Sequence, residues 1–176
     1  NFKNIEFNII VINDASTMPR PKIKKLLNMN SIKIVNMKKN KGHARCIAFG
    51  LRYICKHHKF DYLILMDGDG EDRPIEIKSL IDKALQNPDK SIVAKRVKRS
   101  EGLFFQFLYQ AHKLIAYIFT GKKINFGNYS CLTYEDSKFI SSKPSLWSSF
   151  SGTLKKNVNN LEEIDSTRGL RYFGPS

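Results

Sequence analysis

The stretch "DYLILMDGDGEDRP", residues 61–74, decides the reading of the fold. Tyr62 to Met66 is apolar without polar alternation, the pattern of a strand covered on both faces. It runs straight into carboxylates: Asp67, Asp69, Glu71 and Asp72, with Asp61 at its head. Pro74 then suits the first turn of a helix that buries Ile77, Leu80, Ile81, Ala84 and Leu85.

Working outward, "IEFNIIVIND" (5–14) reads as a buried strand, and "SIKIVNM" (31–37) and "SIVAK" (91–95) read as further strands. "KIKKLLNM" (22–29) reads as a short helix. "KGHARCIAFGLRYICKHH" (41–58) sets Ala44, Ile47, Ala48, Leu51, Ile54 and Cys55 on one helical face, with Asn40 as N-cap. Strands alternating with helices predict an α/β fold, a mostly parallel sheet flanked by helices. In open sheets of this kind ligands bind beyond the carboxyl ends of the strands. Asp14 and the 67–72 cluster both fall at such ends.

The 176 residues suit one domain. The formal net charge of +14 predicts attraction to polyanions: nucleic acid, anionic lipid headgroups or phosphorylated substrates. Cys46, Cys55 and Cys131 form no CxxC pair, which argues against a disulfide framework or a zinc site. "LFFQFLYQAHKLIAYIFTG" (103–121) is rich in aromatics and carries one narrow polar stripe. Beside "KRVKR" (95–99), it reads either as an amphipathic helix lying in a bilayer interface or as a core helix with one wet edge.

Three readings compete for the acidic cluster. Asp-Gly is strong turn chemistry. A calcium loop would need Gly at its sixth position and Glu at its twelfth; counting from Asp67, those are Asp72 and Lys78, which excludes it. The remaining reading is a site for Mg²⁺ or Mn²⁺ that holds a diphosphate, with Asp67 and Asp69 converging where Gly68 and Gly70 let the chain bend. A basic surface would then attract the diphosphate, and the cation would neutralise it.

The order "IVINDAS", "NKGHARCIAFGL", "YLILMDGDGEDRP" resembles the nucleotide-sugar domain of family 2 glycosyltransferases, with the GT-A fold. The nearest likeness is to the polyprenyl-phosphate glycosyltransferase branch, and it extends through "KRVKRSEG" to "STRGLRYFGPS". The resemblance implies that Asp14 recognises the donor's base or ribose and that Asn40 and Gly42 form a turn near the nucleotide. It implies that Asp67 and Asp69 are metal and diphosphate ligands. Glu71 stands where relatives carry a Gln that also reaches the metal. Arg96 matches a basic residue that contacts phosphate, and Arg168 and Arg171 match a basic stretch leading into membrane helices. Asp69 and Arg96 are the implied catalytic residues; Arg96, Asn128, Arg168 and Arg171 are the implied acceptor or phosphate contacts.

By the same likeness the chain is one catalytic domain, expected to be a fragment lacking its first strand and the membrane helices after Ser176. Residues 1–99 would bind the nucleotide sugar, and 100–176 would face the acceptor and the cytoplasmic side of a membrane. The implied reaction is inverting transfer from a UDP- or GDP-sugar. Asn128 stands where relatives carry an Asp, and it cannot act as a base. A phosphate acceptor such as polyprenyl phosphate needs none; a hydroxyl acceptor would need a base elsewhere, for instance Glu135 or Asp136. A basic nucleic-acid or membrane-binding module without catalysis is the alternative class, though it leaves the carboxylates at strand ends unexplained. His43 could touch a phosphate or be surface, and Trp147 reads as a core anchor in preference to a platform for sugar.

Overall fold

The computed structural model describes residues 5–18, 29–96 and 125–172. Strand β1 (Phe7–Asn13) pairs in parallel with β2 (Met29–Asn36). Helix α1 (His43–His57) leads to β3 (Tyr62–Leu65); a 3-10 turn (Pro74–Glu76) opens α2 (Ile77–Gln86), and β4 (Ser91–Arg96) follows. After the undescribed residues come β5 (Phe126–Thr133), α3 (Tyr134–Ser141), a second 3-10 turn (Pro144–Trp147), α4 (Phe150–Asn157) and β6 (Leu161–Ser166). The larger sheet has the order β3-β5-β4-β6. Strand β5 is antiparallel to both β3 and β4, whereas β6 is parallel to β4. Strands β3, β4 and β6 therefore point the same way and β5 runs against them, so the α/β sheet flanked by helices holds, but two of the three pairings in the larger sheet are antiparallel where a mostly parallel sheet was expected.

Two hydrophobic clusters cover the two faces. On one, Ile47 and Leu51 of α1 pack with Leu63, Val93, Phe126 and Leu132 of the sheet, Ile140 of α3, and Phe150 and Leu154 of α4. On the other, Leu80 and Ala84 of α2 pack with Ile92, Ala94, Tyr129 and Cys131. Successive strand residues face opposite ways, so the unbroken apolar runs of β3 and β4 supply both clusters. Strand β1 joins this body through α1: a Cβ at Gly50 would stand 2.7 Å from Cγ1 of Ile12, so only glycine admits the helix so close.

Several expectations need correction. The N-cap of α1 is Gly42, at φ +86°, not Asn40. The Asn40 side chain instead accepts from the Gly42 amide at 3.1 Å, within the turn before the helix. Leu85 is exposed, because α2 turns it away from the sheet. Strand β1 is not fully buried among the described residues, since Ile9 and Val11 lie on its outer face. Trp147 is also exposed; its neighbour Leu146 takes the buried position, and the Arg52 guanidinium stacks on the indole, 4.6 Å from its centroid. The three cysteines are free. The 103–121 helix and residues 22–28 of the short helix lie outside the described residues, while Met29 opens β2. No helix among the described residues is long and apolar enough to cross a membrane.

Candidate active site

The site forms where β1, β3 and β4 end. Beyond β1 the chain turns sharply: Ala15 adopts φ +55°, and the Asn13 side chain accepts from the Ser16 amide at 3.0 Å. This turn aims Asp14 at the segment before α1. One of its carboxylate oxygens accepts from the Lys41 amide and the other from the Gly42 amide, both at 2.8 Å. Two charge-assisted bonds make Asp14 the clamp of the 40–42 turn. Asp14 and the 40–42 turn, which the resemblance assigns separately to the nucleotide, are thus in direct contact.

That clamp places His43, the first residue of α1, over the acidic loop. Its Nε2 lies 3.7 Å from Oδ1 of Asp67 and 2.7 Å from Nδ2 of Asn128. Asn128 is brought there by β5, whose pairing runs Leu65 against Ser130. Its amide nitrogen also donates to Oδ2 of Asp67 at 3.5 Å. Asp67, Asn128 and His43 therefore meet, from β3, β5 and α1.

Asp72 turns back beneath the loop and accepts from the Asp67 amide at 2.9 Å. Its carboxyl is pushed up to about 6, first by burial and then by the neighbouring Asp67 and Asp69 charges, against the pull of the Asp67 amide and of Arg96. The Tyr129 hydroxyl donates to the Arg73 carbonyl at 2.9 Å, which ties the end of the loop to β5. Arg96 lies at the end of β4 with its guanidinium over Gly127, where a Cβ would stand 2.8 Å from Nη2.

The other two carboxylates of the loop are turned toward the segment after β6. Asp69 Oδ2 receives Nε and Nη2 of Arg171 at 3.1 and 3.0 Å. Glu71, only 5% exposed, is paired with Arg168, and Nε of Arg171 lies 3.9 Å from its other oxygen. The backbones are joined as well: the Gly169 amide donates to the Glu71 carbonyl and the Tyr172 amide to the Asp69 carbonyl, both at 2.8 Å. Gly70, at φ +95°, sits against the Tyr172 ring. In this arrangement Asp69 and Glu71 face arginines and do not converge with Asp67. Among the described residues no three His, Cys, Asp or Glu side chains form a group able to hold a metal ion. The loop as it stands does not fit a divalent cation.

The structure thus gathers Asp14, Asn40, Gly42, Asp67, Asp69, Glu71, Asn128, Arg168 and Arg171 into one contact network, with Arg96 close enough to act on Asp72. His43 carries more of the geometry than its place in the sequence signalled; its position directly after Gly42 was the available cue. Tyr129, Gly127 and Gly169 had no comparable signal, because each matters through a neighbour distant in the chain.

The sequence matches the family described as Glycosyl transferase family 2 over residues 1–150. The chain belongs to that family: it is a glycosyltransferase, with a GT-A-like α/β fold, a nucleotide-sugar donor and an acceptor. No curated protein matches the chain. Family membership replaces the non-catalytic binding module as the class of this protein.

Proposed function

We propose that this glycosyltransferase moves a sugar, with inversion, from a UDP- or GDP-sugar to a lipid-linked phosphate, polyprenyl phosphate being the expected form. The observation that carries the reading is the position of the acids offered by the sequence as bases. Asp136 is bound to Ser91, whose hydroxyl donates to it at 2.5 Å, at the start of β4. Arg96 closes the same strand five residues later, which at about 3.3 Å per residue is roughly 16 Å away. Glu135, beside Asp136 at the start of α3, follows Thr133, which pairs with Tyr62 at the start of β3. Both acids belong to the end of the sheet opposite Asp67. At the site itself β5 presents the amide of Asn128. A phosphate acceptor, ionised at neutral pH, needs no base there; a hydroxyl acceptor does.

The chain's own residues have defined tasks in this reading. The 40–42 turn, clamped by Asp14, borders the nucleotide. Arg96 faces the diphosphate and favours the charge that develops on it as the sugar leaves. Asn128 orients the nucleophile by hydrogen bonding. Dependence on Mg²⁺ or Mn²⁺, with Asp67, Asp69 and Glu71 as its ligands, belongs to the proposal and requires the two arginine-paired carboxylates to be released. The basic charge and the aromatic 103–121 segment favour an anionic membrane surface, on its cytoplasmic face, as the place of reaction.

The test is an assay of the protein in lipid nanodiscs across UDP- and GDP-sugars, with Mg²⁺ or Mn²⁺, with and without a short polyprenyl phosphate. Transfer is expected only with the phosphate acceptor. It should fall at least a hundredfold in Asp67→Ala and remain unchanged in Glu135→Gln. Transfer to a free sugar hydroxyl, with none to polyprenyl phosphate, would overturn the reading.

A further inference from the structure

The helices on one face of the larger sheet carry charge of a single sign. Residues 41–60, α1 and its ends, hold five Lys or Arg and no Asp or Glu; residues 137–161, from α3 through α4, hold four lysines and no acid. Both stretches pack on the same side of the sheet, through Ile47 and Leu51 of α1, Ile140 of α3 and Leu154 of α4. On α1, Arg45, Arg52 and Lys56 follow one another at spacings of seven and four residues, which sets them on one stripe. The adjoining acids stand at the edge of this surface: the Asp61 carbonyl accepts from the Tyr134 amide, next to Glu135, and Asp136 accepts from the Ser91 hydroxyl. Two exposed rings, Phe139 and Trp147, are set among the cations. Arg52 fixes them there. Its Nε donates to the Ser141 carbonyl at 2.9 Å and its Nη2 to the Lys143 carbonyl at 3.2 Å, while its guanidinium covers the Trp147 indole. Lys143 in turn lies over the Phe139 ring, 3.9 Å from its centroid.

We propose that this surface is a docking face for an anionic lipid bilayer, with Trp147 and Phe139 entering the headgroup region and the surrounding lysines and arginines meeting lipid phosphates. Charge complementarity selects an anionic partner, since the surface offers cations with no interspersed carboxylate to oppose it. The rings select the kind of partner. An aromatic side chain beside a cation suits the boundary between headgroups and hydrocarbon, where one end is apolar and the other wet. A nucleic acid is drawn by the same charge, but it stacks its bases on ring faces, and a cation of the protein already covers a face of each ring here. The inference rests on the membrane setting of the proposed function and not on its acceptor. Helix α1 begins with His43 at Asp67, and Arg52 stands nine residues along it, about 14 Å away. A bilayer seated on this face therefore lies beside the mouth of the site.

Trp147 is the one tryptophan of the 176 residues, so its fluorescence reports on this surface in the unaltered chain. The probe is vesicles of phosphatidylglycerol mixed with phosphatidylcholine, free of polyprenyl phosphate and of nucleotide. On titration with them the emission should shift to the blue by several nanometres, and lipids brominated near the headgroup end of the acyl chain should quench it. Vesicles of phosphatidylcholine alone should do neither, and high salt should reverse the binding. The double variant Lys138→Glu, Lys143→Glu should co-sediment with the anionic vesicles roughly tenfold more weakly, or less still. Neither side chain belongs to the core, and far-UV circular dichroism checks that the variant is folded. Vesicle binding with Trp147 emission and quenching unmoved would overturn the inference and leave the membrane setting standing. Absence of binding to anionic vesicles would also overturn it. Protection of Trp147 by single-stranded DNA, with none by anionic vesicles, would assign the face to nucleic acid instead. With no donor or acceptor present, the outcome is independent of whether sugar reaches polyprenyl phosphate, so this inference and the proposed reaction fail separately.

Discussion

Gly169 lies against Gly70 with no room for a methyl group, since a Cβ there would stand 2.3 Å from the Gly70 carbonyl oxygen. The obstacle is backbone, which cannot move aside as a side-chain end can. Gly169→Ala should therefore lift the strap of residues 167–172 as a unit, parting Arg168 from Glu71 and Arg171 from Asp69. Limited trypsin digestion is the check. Cleavage after Arg168 and Arg171 should accelerate several-fold in the variant, while the rest of the domain keeps its resistance. Equal digestion rates would show that the strap holds by other contacts.

Asp14 contributes to function through the turn it clamps. Both its oxygens accept backbone amides, so Asp14→Asn retains one acceptor and Asp14→Ala retains neither. Hydrogen bonds to a charged group are worth about 1.5–3 kcal/mol each when buried and less here, where the group is part-exposed. Denaturant unfolding should show a loss of about 1 kcal/mol for Asn and about 2 kcal/mol for Ala. The affinity for UDP or GDP, read by calorimetry, should fall in the same order as the 40–42 turn loosens. Stability loss with unchanged nucleotide affinity would separate the turn from the nucleotide site.

Asp72 makes stability depend on pH. Its pKa in the folded protein is about 6, against an ordinary 3.8, so the folded state prefers the protonated carboxyl. The resulting penalty is absent below pH 3.8, grows as the pH rises toward 6, and is complete above it. Asp72→Asn removes the charge and keeps an acceptor for the Asp67 amide. In the presence of a chelator it should stabilise the protein above pH 6 by about 1–3 kcal/mol and lose that advantage near pH 4. Melting temperatures across this range decide it. An advantage that is constant with pH would trace to packing instead.

Gly127 holds open the space occupied by the Arg96 guanidinium. A Cβ there would stand 2.8 Å from Nη2 and 3.1 Å from Cζ, both near the flexible end of a side chain. Gly127→Ala should leave the fold intact and displace Arg96 from its place beside Asp72. Sugar transfer should drop tenfold or more, chiefly in kcat, with melting temperature within a few degrees of wild type. Unimpaired kcat would remove Arg96 from the proposed mechanism.

Ala15 carries a left-handed backbone at φ +55°, where a Cβ costs roughly 1–2 kcal/mol. Ala15→Gly relieves that strain and gives back part of the gain through the greater freedom of the unfolded chain. A net stabilisation of up to about 1 kcal/mol is expected in urea unfolding. Destabilisation would mean that the methyl group makes contacts worth more than the strain.

The first half of the architecture, through β4, was legible in the sequence because burial imposes a period on it, whereas β5, α3, α4 and β6 were not. The doubly covered strand at 62–65, the α1 face of Ile47, Ala48 and Leu51, and the placement of Asp14 and Asp67 at strand ends all follow from local pattern. Strand β5 was not legible as a strand. "FGNYSCLT" alternates too weakly, and its place between β3 and β4 depends on pairing with segments about forty and seventy residues away. The exposed Leu85 and Trp147 were misplaced for a related reason: hydrophobicity gives a residue a preference for burial, and the available neighbours decide whether it is met.

What the residues alone determined is the chemistry on offer: carboxylates after a buried strand, a glycine-containing turn before a helix, and arginines near the end of the chain. Their partnerships were decided in three dimensions. Asp14 joins the 41–42 backbone, His43 meets Asp67 through Asn128, and Arg168 and Arg171 close over Glu71 and Asp69. A charge in a sequence has a sign but no neighbour. Whether the acidic loop receives a metal or an arginine depends on the distance across the fold, and β6 delivers the strap to that loop.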